Sequence, residues 1–382
     1  MAIVVLVLWL FTAGAGLSLL VSSNLGRSRS APALAPHLAA PTPVAAEATV
    51  APAAAPVPAA ASVAGEAPAA APATGSPKRE LRRAARDRFD PPSLTAAKVA
   101  PLLARVRGHR MAKAALETAV LDAQLREQGT SLSDHLGGVR DHVLAGVSVG
   151  ITGTVEELLD VVGAHLDQGY GRIKLKIEPG WDVVPVSAVR DRFGDDLDLQ
   201  VDANCAYGPA DIAHLLQLDP YRLVLIEQPF AADDLDTHAH FAARSTTPVC
   251  LDESIHSAAD AARALRSGAA SIINIKAGRV GGYLEARRIH DVAQASGAPV
   301  WCGGMLETGV GRAANVALAS LPGFLLPGDI SASSRYYATD VTEPFELVNG
   351  GLDVPTGPGL GVSVSDEALN QLGATRDVIR GR

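Results

Sequence analysis

Cysteine is scarce in this chain of 382 residues: there are three, Cys205, Cys250 and Cys302, and no Cys-x-x-Cys pair. An odd count without paired spacing excludes a disulfide framework or a cysteine zinc site. Each cysteine falls at or near the end of an apolar, strand-like run, so they read as buried free thiols in a reducing compartment. Positive charge is short as well. The formal net charge is −8, and apart from one patch, Lys78 to Arg88 (KRELRRAARDR), no run is rich in Lys and Arg. Phosphate backbones need clustered positive charge, so no nucleic-acid partner is expected, and the patch reads as a solvated turn of helix. A glycine-rich phosphate loop is also missing. The first strand-like run of the globular part continues as GVSVGITGTVEE, without GxGxxG, which argues against an open, doubly wound sheet.

Apolar residues are plentiful, at 48% with 19% charged, enough for one large buried core with residues to spare. The N-terminal third stands apart. Residues 1–24 are a transmembrane or signal-anchor candidate: residues 3–21 (IVVLVLWLFTAGAGLSLLV) are almost wholly apolar and just reach the roughly 20 residues that span a bilayer. No Lys or Arg precedes the run, whereas Arg27 and Arg29 follow it. The expected topology leaves the remainder of the chain in the cytoplasm, tethered to the inner face of the plasma membrane. A cleaved signal peptide is the alternative, but its basic n-region is absent. Residues 25–90 are rich in Ala and Pro without helical or strand periodicity, the mark of a disordered, stiffish linker.

From residue 91 the texture changes. Residues 91–140 hold helical runs, in which Met111, Ala115, Leu116, Val120 and Leu121 share an apolar stripe. Residues 141–345 alternate short β-rich runs with amphipathic helical ones: GVSVGI, RIKLKI, DLQVDAN, LVLIEQP, PVCLDE, SIINIKA, PVWCGGM and a weaker eighth, GFLLPGD. Eight strands alternating with helices predict a parallel (β/α)-barrel in the α/β class. Residues 346–382 form a C-terminal segment.

Polar residues recur at the C-terminal ends of these strands: Lys174 and Lys176 on the second, Asp202 and Asn204 on the third, Glu227 on the fourth, Asp252 and Glu253 on the fifth, Lys276 on the sixth. Strand ends of a barrel converge on one mouth, so these residues become neighbours. Three clustered carboxylates, Asp202, Glu227 and Asp252, repel one another unless a cation sits between them. Hard oxygen ligands favour Mg2+, with Mn2+ as a substitute. Lys176 and Lys276 are expected on opposite sides of the mouth, one on each face of a bound carboxylate. That suits removal of a proton α to a carboxylate, with the metal stabilising the enediolate. Lys174, on the same face as Lys176, is expected to lower the pKa of Lys176 by like-charge repulsion. Glu253 reads as a support for Asp252 or, in its place, as a ligand, but Asp252 shares the strand offset of the other members; Asn204 reads as hydrogen-bond support, a metal water's partner or a ligand; Ser148 on the first strand as either substrate contact or satisfied core hydroxyl.

The contexts IKLKIEPGWD, QVDAN, LIEQP, CLDES, NIKAGRVGGYLEARRIHD and WCGGMLETGVGRAANVALASLPG resemble the enolase superfamily, specifically its o-succinylbenzoate synthase and N-acylamino acid racemase group, over roughly residues 92 to 375. The resemblance implies Lys176 as acid/base, Asp202, Glu227 and Asp252 as Mg2+ ligands, and Lys276 as the opposing lysine. It implies syn dehydration of the cyclohexadiene carboxylate SHCHC to o-succinylbenzoate in menaquinone biosynthesis, a carbon–oxygen lyase reaction. The alternatives are racemisation of N-acylamino acids in the same barrel and a catalytically impaired, membrane-tethered barrel lacking its lid. Gly303, Gly304, Met305 and Glu307 match the family's seventh-strand loop, and Asp329, Ser331 and Ser333 the segment after the eighth strand. Family members begin with a capping domain of a β-meander plus helices; here only the helices are recognisable, so the cap is expected to be truncated. The C-terminal run FELVNGGLDV, which pairs with that domain in the family, is expected to return to the cap region with a solvent-facing edge. A small-molecule carboxylate substrate and a homo-oligomer are expected.

Overall fold

The computed structural model describes residues 93–374 without interruption, together with residues 5–6, 20–21, 81, 83–85 and 89. The apolar run 3–21 therefore lies outside the described residues, except for strands β1 (Val5–Leu6) and β2 (Leu20–Val21), which pair antiparallel. The Ala/Pro linker lies wholly outside them up to residue 80. Among the described residues no helix is long and apolar enough to cross a membrane.

The barrel runs through β4 (Gly146–Val149), β5 (Arg172–Lys176), β6 (Asp198–Asp202), β7 (Ile226–Glu227), β8 (Val249–Leu251), β9 (Ile272–Ile275) and β10 (Val300–Cys302), preceded by β3 (His142–Leu144). These seven strands form one parallel sheet in sequential order, β4 at one edge and β10 at the other. Helices Val155–Asp167, Val183–Phe193, Leu235–Ala242, Ala258–Arg266, Tyr283–Ala295 and Gly309–Ala319 cover it. Their starts are written locally. Thr154, Asp234 and Ser257 each cap a helix by accepting from the backbone N–H of Glu157, Thr237 and Asp260, satisfying donors that a helix leaves free.

The expected eighth strand, GFLLPGD, is not a strand but still closes the ring. Leu325 N–H donates to Val300 O, while Gly328 N–H donates to Leu144 O and Gly146 N–H to Gly328 O, so the segment bridges both edges of the sheet. Pro327 interrupts it because proline has no N–H to give to a ladder. Most of the apolar interior is a single cluster between sheet and helices. A smaller one, Leu225, Cys250, Ile272 and Trp301, lies apart from it.

Helix Arg110–Gln128 packs against the short helix Ala277–Val280 that follows β9. The C-terminal chain returns to it: Leu132 N–H donates to Gly359 O, and Leu360 N–H to Asp122 Oδ1. Strand β11 (Gly351–Asp353) pairs antiparallel with β3, and among the described residues the pair carries no third strand.

Candidate functional site

The two lysines of β5 point to the same face but meet different surroundings. Lys174 is 2% exposed; its Nζ lies 2.7 Å from Asp329 Oδ2, 3.0 Å from Glu227 Oε2 and 3.2 Å from Asp202 Oδ2. Burial opposes its charge, yet these three carboxylates outweigh burial and hold its pKa above the usual lysine range. Lys174 is thus neutralised by three partners and is not the free like charge beside Lys176 that its spacing suggested. Lys176, one step nearer the mouth, is partly exposed and donates to Asp202 Oδ2 at 2.7 Å and Asn204 Oδ1 at 2.5 Å.

β6 pairs with β5 so that Asp202 stands beside Lys176, and with β7 so that it stands beside Glu227. Burial raises the pKa of Asp202, but Lys176 and Lys174 carry it below the carboxylate range. Glu227, fully buried, accepts from Lys174 and from Asn274 Nδ2 at 2.6 Å; burial and then the charge of Asp202 push its pKa up. Asp252, just past β8, accepts from Lys276 Nζ at 2.7 Å and from Arg279. Its backbone N–H is held by Gln228 Oε1 at 3.0 Å. Asn204 sits in the left-handed region (φ 42°), a conformation asparagine tolerates. This turn lets its amide bridge Lys176 and Glu253, whose Oε1 accepts at 2.9 Å.

The sequence-selected set Lys174, Lys176, Asp202, Asn204, Glu227, Asp252, Glu253 and Lys276 is therefore joined in one mouth. The carboxylates do not close on one point, however. Among the described residues no three His, Cys, Asp or Glu side chains converge closely enough to hold an ion, because lysine and arginine occupy the place of the positive charge. The donor chemistry nevertheless fits a hard divalent cation: carboxylate oxygens without imidazole or thiolate. In the same mouth Glu253 Oε2 and Asn274 Oδ1 are buried acceptors without a hydrogen-bond partner.

The remaining candidates are distributed around this mouth. Ser148 pairs in register with Lys174, and its carbonyl accepts from Arg335. Gly303 lies against Lys276: a Cβ there would meet the Asn274 amide and Lys276 Cε. Gly304 packs on the backbone carbonyl of Asp329, so both glycines serve close approach. Glu307 takes the N–H of Met305 at 2.9 Å and the Asn315 amide at 3.0 Å, tying this loop to helix Gly309–Ala319. Met305 and Glu307 line a cavity that runs from Lys276 to Met111 and Thr118 of helix Arg110–Gln128. Ser331 supplies its carbonyl to Arg312, and Ser333 donates to Asp340 Oδ2 at 2.6 Å, so both act within the closing loops. Of the cysteines, Cys250 and Cys302 are buried free thiols, whereas Cys205 is only half-buried: it sits in the exposed turn that Asn204 opens.

Asn274, Arg279 and Gln228, all in the mouth, went unmarked by sequence reasoning. Asn274 carried a signal, being two residues before Lys276 and so on the same strand face. The other two lie past strand ends, where alternation no longer assigns a direction.

Residues 157–368 match the family model for enolase C-terminal domain-like proteins. The chain belongs to the enolase superfamily. It is 65% identical over 279 residues to an N-succinylamino acid racemase of Amycolatopsis, covering 73% of this chain and 76% of that one. It is 49% identical to the o-succinylbenzoate synthase of Bacillus subtilis, covering 72% and 74%. Among solved structures, an enolase-superfamily member from Listeria innocua superposes with a TM-score of 0.73 at 41% identity, covering 79% and 81%.

Proposed function

We propose that this member of the superfamily is a lyase, an o-succinylbenzoate synthase that dehydrates SHCHC after removing the proton α to a carboxylate. The observation that carries the reading is the pair Lys176 and Lys276. They end β5 and lie just past β9, four places apart around the ring, and each holds a carboxylate of the same mouth. Asp202, Glu227 and Asp252 would hold Mg2+, and when bound it supplies a Lewis acid for the negative charge that develops on the substrate carboxylate.

Lys176, released from Asp202 and Asn204 by the incoming substrate, takes the α-proton as the free amine and returns it to the departing hydroxide. Lys276, as the ammonium, sets its charge against the oxygens that become negative on the other face. Asn204 orients Lys176, and Gly303 lets the stem of Lys276 lie flat against the strand end. Helix Arg110–Gln128 and the loop at Met305 line the cavity beside Lys276.

Racemisation of N-succinylamino acids is the second reading, favoured by the 65% identity to a racemase; in it Lys176 and Lys276 exchange one proton across two faces. Purified protein with Mg2+ is expected to convert SHCHC to o-succinylbenzoate, and Lys176→Ala to abolish the conversion. Exchange of the α-hydrogen of N-succinylamino acids in heavy water, without dehydration of SHCHC, would replace the first reading by the second. Inertness towards both, with Mg2+ bound, would overturn both.

A further inference from the structure

Beneath the mouth, Trp301 is fully buried and its indole N–H donates to Cys250 Sγ at 3.3 Å, so the ring is fixed. Two cations lie over its face, Lys174 Nζ at 4.8 Å and Arg172 Cζ at 5.3 Å from the centroid. One carboxylate serves both: Asp329 Oδ1 is 2.7 Å from Arg172 Nη1, and Asp329 Oδ2 is 2.7 Å from Lys174 Nζ. Asp329 is itself anchored by the backbone, its N–H donating to Cys302 O at 2.9 Å and its carbonyl packed under Gly304. Arg172 is anchored in turn by Pro327 O at 2.7 Å. Lys174 therefore has three counter-charges at different distances. Its contacts with Glu227 and Asp202, 3.0 and 3.2 Å, are both longer than the one with Asp329.

We propose that Asp329 is a positioning residue: it holds Lys174 down on the Trp301 face, so that a divalent cation can displace Lys174 from Asp202 Oδ2 and Glu227 Oε2, the two oxygens it also reaches. The proposal rests on the metal reading given above. Without the charge of Asp329, the Lys174 ammonium has only Asp202 and Glu227 to neutralise it and competes with the ion for their oxygens. Such competition is strong in a buried site, where water screens little. An Asp329 that merely braced the barrel closure would affect stability and leave ion affinity alone.

Mn2+ binding to the full chain, followed by calorimetry and by electron paramagnetic resonance, separates the two. Asp329→Asn is expected to weaken Mn2+ binding about tenfold or more. Adding Lys174→Met, which removes the competitor, is expected to bring the affinity back to within about threefold of the parent chain, as coupling through one shared partner requires. Mn2+ binding within about twofold of the parent in Asp329→Asn, or a double variant as weak as the single one, would overturn the proposal. If Asp329→Asn does not fold, crystals of the parent chain grown with Mn2+ decide: Lys174 is expected to keep Asp329 and release Asp202 and Glu227, and the reverse exchange would refute the idea. A parent chain that binds no Mn2+ overturns the metal reading itself, an outcome distinct from the others.

Discussion

Adjacent glycines in the loop after β10 do different work, and side-chain contacts separate them. At Gly303 an added methyl meets the flexible stem of Lys276 and the amide of Asn274, which can give way; at Gly304 it meets the backbone carbonyl of Asp329, which cannot. Gly303→Ala is therefore expected to keep most of the stability while displacing Lys276, lowering turnover at least about tenfold. Gly304→Ala is expected to lose about 1–3 kcal/mol of stability, the usual cost of overpacking, with the main fault in folding. Urea denaturation and kcat measured on the same two proteins test the contrast; equal stability losses would contradict it. Lys174 and Lys176 show the same logic on one strand. Spacing put both on one face, but only the structure shows that one is consumed by buried carboxylates while the other remains partly exposed at the mouth.

Among the elements, helix Arg110–Gln128 is fastened to the barrel by one buried acid. Glu117, 2% exposed, accepts the N–H of Leu284 at 3.1 Å, at the start of helix Tyr283–Ala295. Gly282 (φ 149°) makes room, since a side chain there would strike the carboxyl. Burial pushes the Glu117 carboxyl up to about 7, against backbone N–H groups that favour its charged form. The folded state thus holds this proton more tightly than the unfolded chain, whose value is near 4.5. The associated stability is fully present below about 4.5 and is lost as pH rises through about 7, on the order of 3 kcal/mol. Glu117→Gln keeps an acceptor for Leu284 and removes the titration, so it is expected to be more stable than the parent chain at pH 8 but not at pH 4.5. Denaturation midpoints at both pH values measure this, and an identical pH profile for the two proteins would rule it out. The sequence made the barrel legible because strand runs, cap residues and helices alternate with a period of about 25 residues. It misread the eighth run, where Pro327 leaves bridging without a ladder. Gln228 and Arg279 were invisible because their direction is set by the turn after β7 and by the short helix Ala277–Val280 after β9, not by strand alternation.

At the scale of the whole molecule, the mouth is a nearly closed electrostatic system. Asp202, Glu227, Asp252, Glu253 and Asp329 face Arg172, Lys174, Lys176, Lys276 and Arg279, so formal charges cancel. A divalent cation entering alone leaves two positive charges uncompensated in largely buried surroundings, and a dicarboxylate alone leaves two negative ones. Entering together they cancel, so each is expected to strengthen binding of the other, by the same factor in both directions. Cooperative unfolding reports this directly, because a ligand at about 100 times its Kd adds roughly 2.7 kcal/mol to stability. The rise in Tm produced by Mg2+ with o-succinylbenzoate is expected to exceed the sum of the two separate rises by several degrees, about 2–4 °C per kcal/mol of coupling. Benzoate, with a single carboxylate, is expected to show a smaller excess. Strictly additive shifts, or an excess as large with benzoate, would mean that the charge balance of the mouth does not couple metal to substrate.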